Sequence, residues 1–247
     1  MHSITVVSRS PFRRRAIGST LTAATVCAGL LFGSGCAPSV KQEPFASPGA
    51  LQKQDNVRTI VVSDIDALSD WSRREFRAGT TYTTETADGR PALRGTTAAG
   101  ATLLFRQQRI DLQHSSQLRW NWRIDDVYRI DDETTKSGDD FPARVYVAYQ
   151  QGFLPADALV INYVWASQAA AGTSWPNPFA TNTRMIVLRS GAENRLEWVS
   201  ESRNLVADFK AEFGVDIDRI DGIGVMVDGD NSNQTGTAWF TDFQISP

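Results

Sequence analysis

Gln117-Leu118-Arg119-Trp120-Asn121-Trp122-Arg123-Ile124 decides the fold class. Leu118, Trp120, Trp122 and Ile124 fall on one side of an extended chain, and Arg119, Asn121 and Arg123 fall on the other. Successive side chains of a strand point to opposite faces, so this period of two marks a half-buried β-strand. A helix would repeat its apolar residues every three or four positions instead. Two tryptophans on the apolar side require a second layer to cover them.

The same alternation recurs along the chain. In 143–149, Val145, Val147 and Tyr149 oppose Arg144 and Tyr146. Further strands are predicted at 58–62, 80–86, 92–95, 101–106, 159–165, 184–188, 196–201, 220–227 and 237–245. Asp88-Gly89 is a hairpin turn signal that joins two of them. One helix is predicted over 205–213, where Val206, Phe209 and Phe213 recur at helical spacing after Asn204, an N-cap residue, and before Gly214, a C-cap residue. Strands without a βαβ rhythm or an internal repeat imply an all-β, antiparallel β-sandwich. A jelly-roll-like version, similar to carbohydrate-binding or galactose-binding sandwiches and with one short helix, is the expectation.

The N-terminus carries an address. Basic Arg13, Arg14 and Arg15 precede an uncharged apolar run over 16–32, then Gly33-Ser34-Gly35 and Cys36. That order reads as a secretory signal over 1–35, with lipidation at Cys36. The run is short for a membrane span of roughly 20 residues. Gly33 stands where a lipobox usually has Leu, so simple cleavage is the rival reading, and Arg14-Arg15 gives a poor twin-arginine match. Cys27 leaves with the signal, so the mature chain keeps one cysteine and no internal disulfide. Ala37 lacks the charge of an inner-membrane retention signal, which points to the outer membrane, facing the periplasm. Without lipidation the protein would be free in the periplasm. Residues 36–55, with Pro38, Pro44, Pro48 and Gly49, read as the lipidated end and a flexible tether, and 56–247 as a single domain.

The chain carries 25 basic and 28 acidic residues. The signal holds four arginines and no acid, so the mature charge is 21 minus 28, or −7. An acidic domain without a basic stripe argues against nucleic acid as a partner. The seven tryptophans suit a core or a sugar-stacking platform.

Candidate ligand residues come from the non-core faces. Arg119, Asn121 and Arg123 share one, and Arg144 with Tyr146 share another. If these strands are neighbours, the arginines and amide converge into a site for carboxylates and sugar hydroxyls, with Asn162 added. The alternative is a solvated face whose arginines pair with Glu197 and Glu201. Two acidic clusters could bind calcium, although neither matches an EF-hand: 125–140, and Asp228-Gly229-Asp230-Asn231-Ser232-Asn233. Both also read as solvated turns, and either Asp139 or Asp140 could pair with Arg144 or Lys136. The stiff stretch 172–179, containing Trp175, Pro176 and Pro178, reads as a loop that either presents Trp175 to a ligand or caps the sandwich.

Catalytic signals are weak. The mature chain keeps one histidine, His114, which excludes a metal site of several histidines. G-x-S-x-G is absent. Tyr146 or Tyr163 beside an arginine could act as a lyase base, with Glu201 and Asp228 as further acid–base groups.

The run 132–147, Asp-Glu-Thr-Thr-Lys-Ser-Gly-Asp-Asp-Phe-Pro-Ala-Arg-Val-Tyr-Val, resembles the signature of an uncharacterised bacterial envelope family, domain of unknown function 3047. Trp120-Asn121-Trp122, Asn162-Tyr163-Val164-Trp165, Ser174-Trp175-Pro176-Asn177-Pro178, Arg203-Asn204 and the closing Thr237-Ala238-Trp239-Phe240-Thr241-Asp242-Phe243 fit the same pattern. The resemblance spans nearly the whole mature domain and implies no agreed activity. The closing strand is also similar to the last strand of carbohydrate-binding jelly rolls, a likeness of fold.

The sequence therefore leads to a non-catalytic envelope domain that holds a glycan or other polar, anionic ligand through Arg119, Asn121, Arg123, Arg144, Tyr146 and Asn162. A polysaccharide lyase or glycoside hydrolase on the same face is one alternative. A structural lipoprotein that binds another envelope protein is the other. No cofactor is expected apart from calcium.

Overall fold

The computed structural model describes residues 68–246 and a short strand at Arg58–Thr59. The signal predicted over 1–35, Cys36, the tether predicted over 36–55 and the 60–62 end of the first predicted strand lie outside the described residues.

The described strands are β1 (Arg58–Thr59), β2 (Ser72–Arg77), β3 (Thr80–Ala87), β4 (Arg90–Ala98), β5 (Ala101–Asp111), β6 (Gln117–Ile124) and β7 (Ala143–Gln150). They continue with β8 (Ala158–Ala166), β9 (Ser174–Asn177), β10 (Ala180–Ser190) and β11 (Val199–Asn204). Helix α1 (Leu205–Phe213) follows, then β12 (Arg219–Asp228) and β13 (Thr235–Ser246). A first sheet has the order β11-β6-β13-β4-β3, with β1 also pairing with β13. A second sheet has the order β2-β5-β12-β7-β8-β10-β9. The two sheets form the expected β-sandwich.

Local chemistry sets the turns and caps. β3 and β4 pair antiparallel across Asp88-Gly89, both with positive φ (51° and 76°), as a two-residue hairpin of right-handed twist requires. Asn204 caps α1 by accepting a hydrogen bond from the Ala207 N–H at 3.0 Å. Gly214 ends the helix in the left-handed region (φ 72°) and donates its N–H to the Lys210 carbonyl.

The core lies between the sheets. β6 contributes Leu118, Trp120, Trp122 and Ile124, as its alternation requires, against Val145, Val147, Ile161, Tyr163, Trp165, Ile223, Val225 and Val227 of the second sheet. Trp120 meets Trp122 edge-on (5.6 Å, 86°) and stacks on Phe243 (6.3 Å, 7°). Such aromatic pairs add about 0.5–1.5 kcal/mol each beyond their burial. In β13, Phe240 and Phe243 both face inward despite their odd spacing. A bulge between Thr241 and Gln244, with Asp242 at φ 58°, inserts the extra residue and resets the alternation.

Three features depart from the sequence expectation. β2 was not foreseen, because Ser-Arg-Arg-Glu-Phe-Arg shows no apolar face; it is an exposed sheet edge, where charge discourages further pairing. The stretch containing Trp175 and Pro176 forms β9 rather than a loop, at the opposite edge, where a proline removes no ladder bond. The sheets are also not wholly antiparallel: β10 runs parallel to β8. The chain leaves β8, runs out to the edge as β9 and returns between them as β10, so β9 takes up the reversal.

Candidate functional site

The site expected from sequence required β6 and β7 to be neighbours. They are not: β6 pairs with β11 and β13 in the first sheet, and β7 with β12 and β8 in the second. Arg119, Asn121 and Arg123 therefore face outward on one side of the molecule, and Tyr146, Arg144 and Asn162 on the other, with the core between them. Packed sheets lie about 10 Å apart before outward side chains are added, so the six residues form two groups rather than one.

On the first sheet Arg123 and Asn121 are paired within the face, while the Nε atoms of Arg123 and Arg94 have no hydrogen-bond partner among the described residues. Arg123 pairs with Asp88 at 2.5 Å and lies over the rings of Trp239 (4.1 Å) and Trp198 (5.2 Å). Trp198 donates its indole N–H to Asp88 (3.0 Å), and Trp239 donates to Glu85 (2.6 Å). Asn121 donates to Asp242 at 2.7 Å and accepts from the Ser200 hydroxyl. Arg119 is exposed. The anticipated partners Glu197 and Glu201 are not used by these arginines; Glu201 accepts from Arg189 and from the Trp122 indole.

The outer face of the second sheet differs. Strand register aligns Ser72, Phe105, Gly224, Tyr146, Asn162, Met185 and Trp175 in one row across all seven strands. The adjacent row carries Arg74, Leu103, Met226 and Arg144, and the row on the other side carries Gly222 beside Gln107 and Ala148. Gly222 and Gly224 alternate with inward Ile223 and Val225, so β12 carries no outward side chain at these two positions, and neighbouring residues bury both glycines. The surface over β12, here called the trough, is flanked by half-buried Phe105 and Tyr146 on β5 and β7, about 10 Å apart at normal strand spacing. A Cβ at Gly224 would lie 3.0 Å from the Leu103 side chain and 3.1 Å from the Phe105 Cβ. Phe76, at the β2 edge, is 50% exposed.

Tyr146 donates its hydroxyl to the Met226 sulfur at 3.2 Å. Burial pushes its phenol up to about 12, tempered by the Arg144 charge, so at neutral pH it is a hydrogen-bonding group rather than a base. Asn162 is 1% exposed; its amide nitrogen lies 3.5 Å from the Met185 sulfur, its side chain also hydrogen-bonds the Tyr146 phenol, and its carbonyl oxygen has no partner among the described residues.

Arg144 is a different kind of residue from the one the sequence suggested. It is 2% exposed and lies over the Phe141 ring at 4.6 Å. Its Nε donates to Asp228 at 2.8 Å, one terminal nitrogen also meets Asp228, and the Asp139 carboxylate and carbonyl accept at 3.3 and 2.5 Å. Its donors are spent inside the protein, which makes it a buried ion-pair partner rather than a ligand contact. Burial raises Asp139, and raises Asp228 to about 8 against the opposing pull of Arg144.

Both acidic clusters of the sequence meet here. Asp140 accepts from the Asn231 N–H (3.2 Å), the Asn231 side chain (3.1 Å) and the Ser232 N–H (2.5 Å). The carboxylates of Asp140, Asp228 and Asp230 lie within 4.8 Å of one another, a set of hard oxygens that could hold a divalent cation. Glu133, expected in a solvated loop, is instead buried and accepts three backbone N–H groups, from Ser167, Gln168 and Ala169.

The acid–base set is not assembled. Tyr163 faces the core and donates to Asp208 at 2.6 Å, and Asp208 also holds Arg203. Glu201 and Asp208 line a cleft of about 360 Å³ between β10, β11 and α1, whereas Asp228 lies on the second sheet's outer face. Phe76, Phe105, Arg74 and Gly224 were not singled out from sequence. The alternation of Gly222 and Gly224 with apolar residues was the available signal, since a strand interior rarely repeats glycine on one face without close backbone approach.

No curated relative matches the chain in sequence. Among solved structures, it is similar to a family 29 carbohydrate-binding module complexed with mannohexaose (11% identity, 78% of this chain and 92% of that chain, TM-score 0.38). It is also similar to the family 11 carbohydrate-binding module of a cellulosomal cellulase of Clostridium thermocellum (10% identity, 78% and 96%, TM-score 0.39). A family 30 module of a second cellulosomal cellulase of that organism gives 13% identity, 67% and 82% coverage, and a TM-score of 0.39. The family described as protein of unknown function, DUF3047, matches residues 69–244, most of the chain and nearly all of the described sandwich, and the chain belongs to it.

Proposed function

We propose that this protein is a non-catalytic glycan-binding domain that holds a saccharide chain in the trough on the outer face of the second sheet. The observation that carries the reading is the pair Phe105 and Tyr146, half-buried on either side of β12 and stacked on no other ring or cation among the described residues. Aromatic faces stacked on nothing else suit the apolar face of a sugar ring, while exposed Gln107 can meet its hydroxyls. Of the six residues chosen from sequence, Tyr146 belongs to the contact surface in this reading. Asn162 and Arg144 support it from beneath, and Arg119, Asn121 and Arg123 lie outside it.

In the same proposal the N-terminal segment is a cleaved signal and Cys36 a lipid attachment, placing the domain on a tether at the outer membrane, facing the periplasm. The basic, apolar and small-residue order before Cys36 supports this address. Saccharide-array binding by wild type and by Tyr146→Ala tests the function. Binding that is lost in the variant, with unchanged melting, is the expected result. Equal binding by both, or none by wild type, would remove this face from consideration.

A further inference from the structure

Beside the trough lies a charged residue, Arg74, for which no carboxylate partner is found among the described residues. Arg74 lies on the edge strand β2, and its pairing with Leu103 puts it on the trough face, one row from Phe105. Diagonal neighbours on a sheet are roughly 7–8 Å apart, within reach of an arginine. Its guanidinium rests 4.9 Å from the Phe76 ring centroid, and its Nε has no hydrogen-bond partner among the described residues. Nearby arginines are engaged: Arg106 with Asp70 at 3.6 Å, Arg77 with the Asp230 carbonyl at 2.7 Å, and Arg144 with Asp228 and Asp139. An arginine laid on an aromatic ring is held in place, and its two terminal nitrogens, rather than the buried Nε, are the donors that suit a carboxylate.

We infer that the trough selects acidic polysaccharide, with Arg74 taking the carboxylate of a uronate residue while Phe105 and Tyr146 stack on the neighbouring sugar rings. This rests on the proposed glycan reading of the same face. The chain is acidic overall, with 28 acidic against 25 basic residues, so attraction to a polyanion comes from this local contact rather than from net charge.

Affinity electrophoresis of the full chain through gels containing alginate, polygalacturonate or hyaluronate, each beside its carboxyl-reduced form, tests the inference. Reduction removes the charge and keeps the chain. At least one acidic polymer is expected to bind about tenfold or more tighter than its reduced form, the scale of a hydrogen bond to a charged group. Arg74→Gln should abolish that difference and keep the wild-type melting temperature, and added salt should weaken the acidic polymer only. Tyr146→Ala should lose both forms. Reduced polymers bound as tightly as acidic ones, or a preference that survives Arg74→Gln, would overturn the acidic selectivity and leave the glycan reading standing. Retention of no polymer, charged or neutral, would overturn the glycan reading and this inference with it.

Discussion

The two outer faces of the sandwich use similar residues to opposite ends. On the first sheet, Arg123 covers Trp239 and Trp198 and pairs with Asp88, and both indole N–H groups end on carboxylates. On the second, the arginine equivalent in sequence pattern is buried beneath the surface, two glycines remove side chains from the middle strand, and two aromatic rings stay open. The difference is one of covered and uncovered rings. A face whose tryptophans lie under an arginine offers a sugar ring little to stack on. A face whose rings stack on no other ring or cation offers it a platform.

Removing each arginine separates the faces most sharply. Arg144→Ala leaves Asp228 and Asp139 buried without their cation and should cost about 3–5 kcal/mol in chemical denaturation. Arg123→Ala, whose partner Asp88 is 61% exposed, should cost about 1 kcal/mol or less. Equal losses would show that the two arginines are not held differently.

Filling the trough comes next. Gly224→Val adds atoms against Leu103 and Phe105, with an expected loss of about 1–3 kcal/mol and no saccharide retention. Wild-type retention by a folded Gly224→Val protein would place the ligand elsewhere. Trp239→Ala on the opposite face should change retention less than about twofold, since its ring already serves Arg123.

The smallest effect is on alkaline stability. The Tyr146 phenol is raised from 10.0 to about 12, so its contribution is fully present below pH 10 and is lost as pH rises from 10 towards 12. Tyr146→Phe should make the fall in melting temperature over that window shallower than in wild type. A steeper fall would mean that the phenolate, not the phenol, is favoured by the fold.

Most of the fold was legible because core-facing strands must alternate. Trp120 and Trp122 defined β6, and Asn204 with Gly214 bounded α1. The edges β2 and β9 were not legible, because an edge strand has no obligation to bury either face, and Arg73, Arg74 and Pro176 therefore look like loop residues. The site was only half legible for a related reason. Alternation tells which residues leave the core, so Tyr146 could be found, but not which sheet a strand joins, so Arg119 and Arg144 could not be told apart from neighbours. Nor does alternation foretell that an outward residue is covered by other parts of the chain: Arg144 is buried because Asp139, Phe141 and Asp228 close over it.

The most direct measurement compares saccharide affinity, by titration calorimetry on one binding glycan, in Tyr146→Ala and Trp239→Ala. The trough account expects Tyr146→Ala to lose binding and Trp239→Ala to keep it within about twofold, the open aromatic ring carrying the stacking contact. Loss in Trp239→Ala with retention in Tyr146→Ala would contradict the account and move the binding surface to the first sheet.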